Sequence, residues 1–145
     1  MTGLPLVSIF LPTFNHQEYI ADSIESIVNQ DYNNIEIIIG DDCSQDNTWG
    51  IIQEFQRRYP LKIKAFRNMQ NLGVTGNSNE VLKRCSGEFV VYTAGDDLFL
   101  PGKISAQVKI MEKDKRILLC YHDIEVFQSE TNETLRFWNH GSDSA

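Results

Sequence analysis

Short apolar runs and helical stripes alternate along this sequence, and that alternation restricts its fold more than any other feature. "LVSIFLP" (Leu6–Pro12) and "IEIIIG" (Ile35–Gly40) are nearly continuous apolar runs of strand length. Such runs suit strands buried on both faces of a sheet. Between them, Tyr19, Ile20, Ser23, Ile24, Ile27 and Val28 fall on one helical face, with Glu18, Asp22, Glu25 and Asn29 elsewhere. "SQDNTWGIIQEFQRRY" predicts a second helix. Asp46 or Asn47 can cap it, Ile51, Ile52, Phe55 and Tyr59 form its apolar face, and Pro60 follows its end. "LKIKAFRN" alternates as a third strand would. "NLGVTGNSNEVLKRCSG" runs from a glycine-bearing loop into a helix ending near Gly87, and "EFVVYTAG" (Glu88–Gly95) reads as a fourth strand. Pro101 suits a first helical turn, and Ile104, Val108 and Met111 mark the inner face of the helix after it. "ILLCYHDIEVF" reads as a fifth strand, and from Gln128 the chain turns polar and patternless. Strands alternating with helices imply an α/β fold with a mostly parallel sheet flanked by helices.

In such sheets ligands bind beyond the carboxyl ends of the strands. Three polar clusters fall there: Thr13–Asn15 after the first strand, Asp41–Asp42 after the second and Gly95–Asp97 after the fourth. Chance could produce one; three on one edge point to a site. Two adjacent carboxylates at the mouth of a buried strand repel, and burial raises the cost of keeping both charged. A cation or a set of donors is therefore expected at Asp41 and Asp42. Asp42 could order the turn or help cap the next helix through Ser44 or Asp46, or it could accept from a base or sugar. "TAGDD" admits two readings as well. Gly and Asp are common turn residues, while a carboxylate pair at a strand end also suits Mg²⁺, which takes one or two protein carboxylates and fills its shell with water and phosphate. Phe14 is either a core edge or a ring that stacks on a base.

Composition narrows the partners. The 145 residues suit one domain with a real core. A net charge of −7 argues against a nucleic-acid-binding module, which would carry a basic face. It leaves phosphorylated small molecules open, because helix N-termini and metal ions hold phosphates without a basic surface. Cys43, Cys85 and Cys120 are widely spaced and odd in number, which suits free thiols in a reducing compartment. No apolar run reaches membrane-span length, and "MTGLPLVSIF" lacks the basic start and long apolar stretch of a secretory signal. The expected location is cytoplasmic, with peripheral attachment at the inner membrane face left open through segments outside this chain.

The motifs together carry a resemblance. "VSIFLPTFNHQEYIADSIESIVNQDYNNIEIIIGDDCSQDNT", then "NLGVTGNSN", "CSGEFVVYTAGDDLFLPGKI" and "LCYHDIEVF", resemble the family-2 glycosyltransferases, from about Val7 to Phe127. "PTFN", "DDCSQD" and "GDD" followed by Pro101 are the specific elements, in the family's order. The resemblance implies the GT-A fold, a Rossmann-like, mostly parallel sheet flanked by helices. It implies a nucleotide-sugar-binding domain over residues 1–127, with 128–145 a polar tail that begins an acceptor-side segment. It implies a donor site of Pro12, Thr13, Phe14, Asn15, Asp42, Asn79 and Asp96. Phe14 stands beside the uracil ring, Asp42 accepts from the base, Asp96 tends toward the ribose, and Asp97 holds Mg²⁺ or Mn²⁺. Asp41 more often orders the backbone.

The resemblance also implies the reaction: inverting transfer of a sugar from a nucleotide-diphosphate donor, UDP-linked, to a hydroxyl of a glycan or lipid-linked acceptor. The sequence departs from the family's pattern in three places. Ser78 stands where many relatives place Arg near the diphosphate, although Asn79 is retained and Lys83 and Arg84 lie about a turn away. Cys43 replaces the commoner Gly of "DDGS". No base motif follows Phe127, so the catalytic base is expected outside this chain, and His122, Asp123 and Glu125 read as core, strand-end or sugar-side residues. Two other classes stay open. One is a domain that binds sugar nucleotides without catalysis. The other is a nucleotidyltransferase, although "PTFNHQEY" lacks the Gly-rich basic loop that class usually carries.

Overall fold

The computed structural model describes residues 3–138. Four strands and three helices alternate first: β1 (Val7–Thr13), α1 (Ile20–Val28), β2 (Ile35–Asp41), α2 (Thr48–Arg58), β3 (Ile63–Arg67), α3 (Gly73–Leu82) and β4 (Phe89–Tyr92). The strands form one sheet in the order β3-β2-β1-β4. Every pairing is parallel, with Val7 opposite Ile35, Ile37 opposite Ile63 and Val7 opposite Phe89. The two apolar runs singled out in the sequence are the two central strands. All of β2 is buried, and β1 is buried except at Pro12. A strand covered on both faces has no reason to alternate, which is why these runs read as continuous.

Each face of the sheet has its own cover. Phe10, Ile38 and Val81 form a cluster joined by Phe66 and Cys85, and α3 packs there against β1 and β2. Phe10 also stacks on Tyr92 with ring centroids 5.0 Å apart. By strand alternation Ile9, Leu11, Ile37 and Ile39 point the other way. They are fully buried, as are Ile20, Ile24 and Ile27 of α1 and Ile52 of α2. Gly40 marks a close approach: a Cβ there would meet Val81 Cγ2 at 2.5 Å and Phe66 Cζ at 2.8 Å. A side chain at that position would push α3 off the sheet.

At the opposite end of the sheet lies a buried polar cluster around Glu36. Glu36 Oε1 accepts from Ser8 Oγ at 2.6 Å, from Ser86 N at 2.7 Å and from Ser86 Oγ at 2.8 Å, while Oε2 accepts from Lys64 Nζ at 2.7 Å. Burial alone would push the carboxyl up, but these donors, Lys64 foremost, hold it down at about 2. The cluster ties the α3–β4 connection to β1 and β2.

The first unit of the chain is Met1–Ser105 and the second is Ala106–Ala145. Helix α4 (Lys103–Lys113) follows β4, with Ile104 and Val108 buried as its spacing predicts. The fifth strand differs from expectation. Residues 117–123 form no strand, and β5 (Ile124–Gln128) pairs antiparallel with β6 (Glu133–Trp138) rather than joining the parallel sheet. The stretch after Gln128, read as patternless, therefore holds a strand. The reason is a turn that the apolar pattern does not show. Asn132 adopts φ 55 and its N–H returns to Gln128 O at 2.8 Å, which closes a hairpin. Among the described residues no strand pairs with 117–123, and Leu118 and Leu119 are exposed there.

Candidate functional site

Because all four strands run in parallel, their carboxyl ends share one edge, and the loops leaving it are stitched together. Asn15 takes the left-handed conformation, φ 54, which Asn tolerates better than most residues. Its N–H donates to Ser44 Oγ at 2.9 Å and its Oδ1 accepts from Gln45 N at 2.8 Å. His16 N donates to Thr48 Oγ1 at 2.8 Å, and Asp42 N donates to Thr13 O at 2.9 Å. The β1–α1 and β2–α2 loops thus behave as one piece. Phe14, between these anchors, remains 39% exposed. Thr48 closes the turn before α2 with Asp46, whose Oδ1 accepts from Thr48 N and Oγ1 at 3.0 and 2.6 Å. Asn47 is the N-cap and makes no side-chain capping bond, while Asp46, one residue earlier, satisfies the first N–H of α2.

The two adjacent carboxylates have different partners. Asp41 is fully buried, and its Oδ2 accepts from Ser44 N and lies 3.1 Å from Arg67 Nε. The guanidinium at the end of the neighbouring strand neutralises it, and Asp41 orders the turn as the resemblance implied. Asp42 is also buried, and its Oδ1 accepts from Asn68 Nδ2 at 2.9 Å and from Leu72 N at 2.8 Å. Asn68 donates in turn to Asn77 Oδ1, and Asn77 Nδ2 donates to Gly40 O at 2.8 Å. A chain of amides therefore fixes Asp42 to the β3–α3 segment. Cys43 has φ 63. Glycine adopts that conformation without strain, and the thiol sits there as a turn residue.

The third cluster is a tight turn. Asp97 N donates to Ala94 O at 3.2 Å, and Asp97 Oδ2 accepts from Ala94 N at 3.3 Å. Asp96 and Asp97 are both exposed. The segment is clamped by α1 and the residue pair after it: Ser23 Oγ donates to Ala94 O, Ser26 Oγ accepts from Phe99 N, and Gln30 Nε2, just past the helix, donates to Leu100 O at 3.0 Å. The turn reading of "GDD" holds, and the pair presents its carboxylates to solvent. Lys103 sits over the Phe99 ring, 3.6 Å from its centroid. Burial pushes its ammonium down to about 8, against the pull of the Asp97 charge.

A divalent ion fits this edge in one mode only. Among the described residues no group of three or more His, Cys, Asp and Glu side chains could hold a metal. An all-protein cage is therefore not built here. Mg²⁺ and Mn²⁺ chemistry with one or two carboxylates plus phosphate oxygens and water needs no such cage, and the exposed Asp97 turn suits it.

Pro12, Thr13, Phe14, Asn15, Asp42, Asp96 and Asp97 all lie along the edge. Asn79 does not join them. It is exposed on α3, on the far side of the helix from the buried Asn77 and Val81. Lys83 and Arg84, the cations nearest Ser78, are occupied elsewhere: both pair with Glu80, and Arg84 lies over Phe66. His16, Arg67, Asn68, Asn77 and Lys103 also belong to this edge and its supports, and none of them was expected from the sequence. Arg67 and Asn68 had a usable signal, because they end the third strand and so reach the same edge.

The profile of "Glycosyl transferase family 2" matches residues 8–143. This chain belongs to glycosyltransferase family 2. The family's relatives include the GalNAc(5)-diNAcBac-PP-undecaprenol beta-1,3-glucosyltransferase of Campylobacter jejuni, 41% identical over 103 residues, 70% of this chain and 33% of that protein. The UDP-Glc:alpha-D-GlcNAc-diphosphoundecaprenol beta-1,3-glucosyltransferase WfgD of Escherichia coli is 33% identical over 126 residues, 87% of this chain and 48% of that protein. Among solved structures, S. aureus TarS 1-349 in complex with UDP-GlcNAc aligns with TM-score 0.69 at 29% identity, over 74% of this chain and 31% of that one. The mannosyltransferase PcManGT of Pyrobaculum calidifontis, in complex with GDP-Man and Mn²⁺, aligns with TM-score 0.70 at 26% identity, over 76% and 33%. The parallel sheet is thus the GT-A fold. The chain spans between 33% and 48% of the length of these two curated family members. No helix of the described residues is long and apolar enough to cross a membrane.

Proposed function

We propose that the edge formed by β1, β2 and β4 binds a uridine-diphosphate sugar for inverting transfer to a hydroxyl of a glycan or lipid-linked acceptor. The observation that carries this reading is the convergence of three polar loops at the carboxyl ends of parallel strands, in a chain of a glycosyltransferase family. In this reading Phe14 stacks on the base and Asp42, its Oδ1 already held by Asn68 and Leu72, offers its carboxylate to the base N–H. Pro12, Thr13 and Asn15 shape the loop that carries Phe14, and Asn15 does so through Ser44 and Gln45. Asp96 meets the ribose and Asp97 would hold Mg²⁺ or Mn²⁺. When bound, that ion supplies charge to the departing diphosphate. The reading is supported by two relatives named for undecaprenol-linked substrates and by neighbours solved with UDP-GlcNAc and with GDP-Man and Mn²⁺. We assign the general base to residues outside this chain, because the carboxylates of the edge serve the donor. Attachment at the inner membrane face would suit a lipid-linked acceptor.

Calorimetry tests the reading. UDP should bind with Mn²⁺ present, more weakly with EDTA, and ADP should bind more weakly than UDP under both conditions. Equal affinity of UDP and ADP, with and without metal, would sink it.

A further inference from the structure

His16 lies between the two halves of this edge. Its backbone is tied at both ends: its N–H donates to Thr48 Oγ1 at 2.8 Å, and its carbonyl accepts from Tyr19 N at 3.0 Å and Ile20 N at 2.9 Å as α1 begins. The imidazole therefore starts from a fixed Cα. Its Nδ1 lies 3.1 Å from Thr13 Oγ1, at the end of β1, and 4.0 Å from Asp96 Oδ1, at the tip of the turn after β4. Gly95 makes this approach possible. A Cβ there would meet His16 Nδ1 at 2.7 Å and run into Thr13 Oγ1. The flanks of the turn are held by Ser23 and Ser26 of α1, whereas its tip meets the His16 ring.

We propose that His16 is a positioning residue that locks the Gly95–Asp97 turn to the end of β1, through the Thr13–His16–Asp96 row and the close approach at Gly95. One side chain then sets the spacing between the loop that carries Phe14 and the turn that carries Asp96 and Asp97. This rests on the donor-site reading above and adds a coupling within it. A separation of 4.0 Å is longer than a hydrogen bond, so the closer restraints are the Thr13 Oγ1 contact and the packing at Gly95. They bias where the turn sits without holding the fold together. Removing the ring nitrogen should therefore affect the parts of the ligand that meet the turn, the metal-bound diphosphate most and the ribose at Asp96 less, and spare the base.

The test compares His16→Phe, a ring of similar size without nitrogen, with His16→Asn, whose amide places a polar atom where Nδ1 stands. UDP affinity with Mn²⁺ should fall about tenfold in His16→Phe, because the turn it steadies carries Asp97 beside Asp96. Affinity for uridine without metal should fall less, because uridine meets the turn only through Asp96, and His16→Asn should recover most of the loss. Hydrogen exchange over residues 93–100 should quicken in His16→Phe and return toward the parent rate in His16→Asn. Equal losses for uridine and UDP, or no recovery in His16→Asn, would overturn the proposal in favour of simple packing. Unchanged exchange in His16→Phe would overturn it whatever the ligand data show. A parent chain that binds no uridine nucleotide refutes the donor-site reading instead, and the exchange comparison still decides whether His16 holds the turn.

Discussion

Asp97 and Asp42 differ in what removing them should do, because one is exposed and one is buried. The Asp97 carboxylate accepts from Ala94 N of its own turn, feels the Lys103 charge and is otherwise exposed. Asp97→Asn is expected to leave the melting temperature near that of the parent. It should weaken UDP binding in Mn²⁺ at least tenfold, about 1.4 kcal/mol, as losing a charged ligand would. Calorimetry in Mn²⁺ and in EDTA checks this, with the mutant expected to match the parent in EDTA. Asp42→Ala removes the acceptor of Leu72 N and Asn68 Nδ2 as well as the contact to the base. It should erase most of the preference for UDP over ADP. It should also lower stability by about 1–3 kcal/mol, since donors are left unpaired in a buried place. Asp42→Asn, which keeps an oxygen for those donors, separates the two effects. A competition assay across nucleoside diphosphates, run beside urea unfolding, reads both.

Among the elements, β2 carries polar work at both of its ends. At its carboxyl end Asp41 meets Arg67, and near its start Glu36 meets Ser8, Lys64 and Ser86. Glu36 is held at about 2 against an ordinary value of 4.5, so its folded-state pKa is depressed. The stability it contributes is fully present above pH 4.5 and is lost as pH falls toward 2. Glu36→Gln should therefore flatten the fall in melting temperature between pH 5 and pH 3, while lowering stability at neutral pH. Thermal melts across that range check it, and a mutant whose melting temperature falls as steeply as the parent's would remove Glu36 as the source. The predicted site lies at the other edge of the sheet, so nucleotide binding at pH 7 should change little.

At the scale of the molecule, binding and transfer make different demands. Binding a nucleotide needs the edge of one sheet, whereas transfer also needs an acceptor pocket and a placed base. These 145 residues are accordingly expected to bind a sugar nucleotide with metal and to release sugar slowly to water, yet to transfer it to glycan or undecaprenol-linked acceptors poorly. Mass-detected turnover over an acceptor panel measures this. Rapid transfer would place the base within the chain and make Asp123 and Glu125 the first residues to substitute.

By itself the sequence determined the parallel α/β core and the edge on which a site would form. Continuous apolar runs such as Ile35–Gly40 need cover on both faces, and parallel strands bring their carboxyl ends together, so Thr13, Asp42 and Asp97 had to share an edge. Local turn chemistry was legible at Asp46, whose carboxylate accepts from Thr48 N before α2, while the ordering role of Asp41 came from the family resemblance alone. The tertiary structure alone decided which side chains partner across that edge. Arg67 on Asp41, Asn68 and Asn77 behind Asp42, and His16 against Asp96 join residues far apart in the chain, and no spacing encodes such a contact. It also decided that Asn79 turns outward while Asn77 turns in, because the register of α3 on the sheet is set by Val81 and the bare Gly40 beneath it. The hairpin of β5 and β6 escaped the sequence reading for the same reason. A strand exists only with its partner, and that partner depended on a left-handed Asn132 rather than on an apolar run.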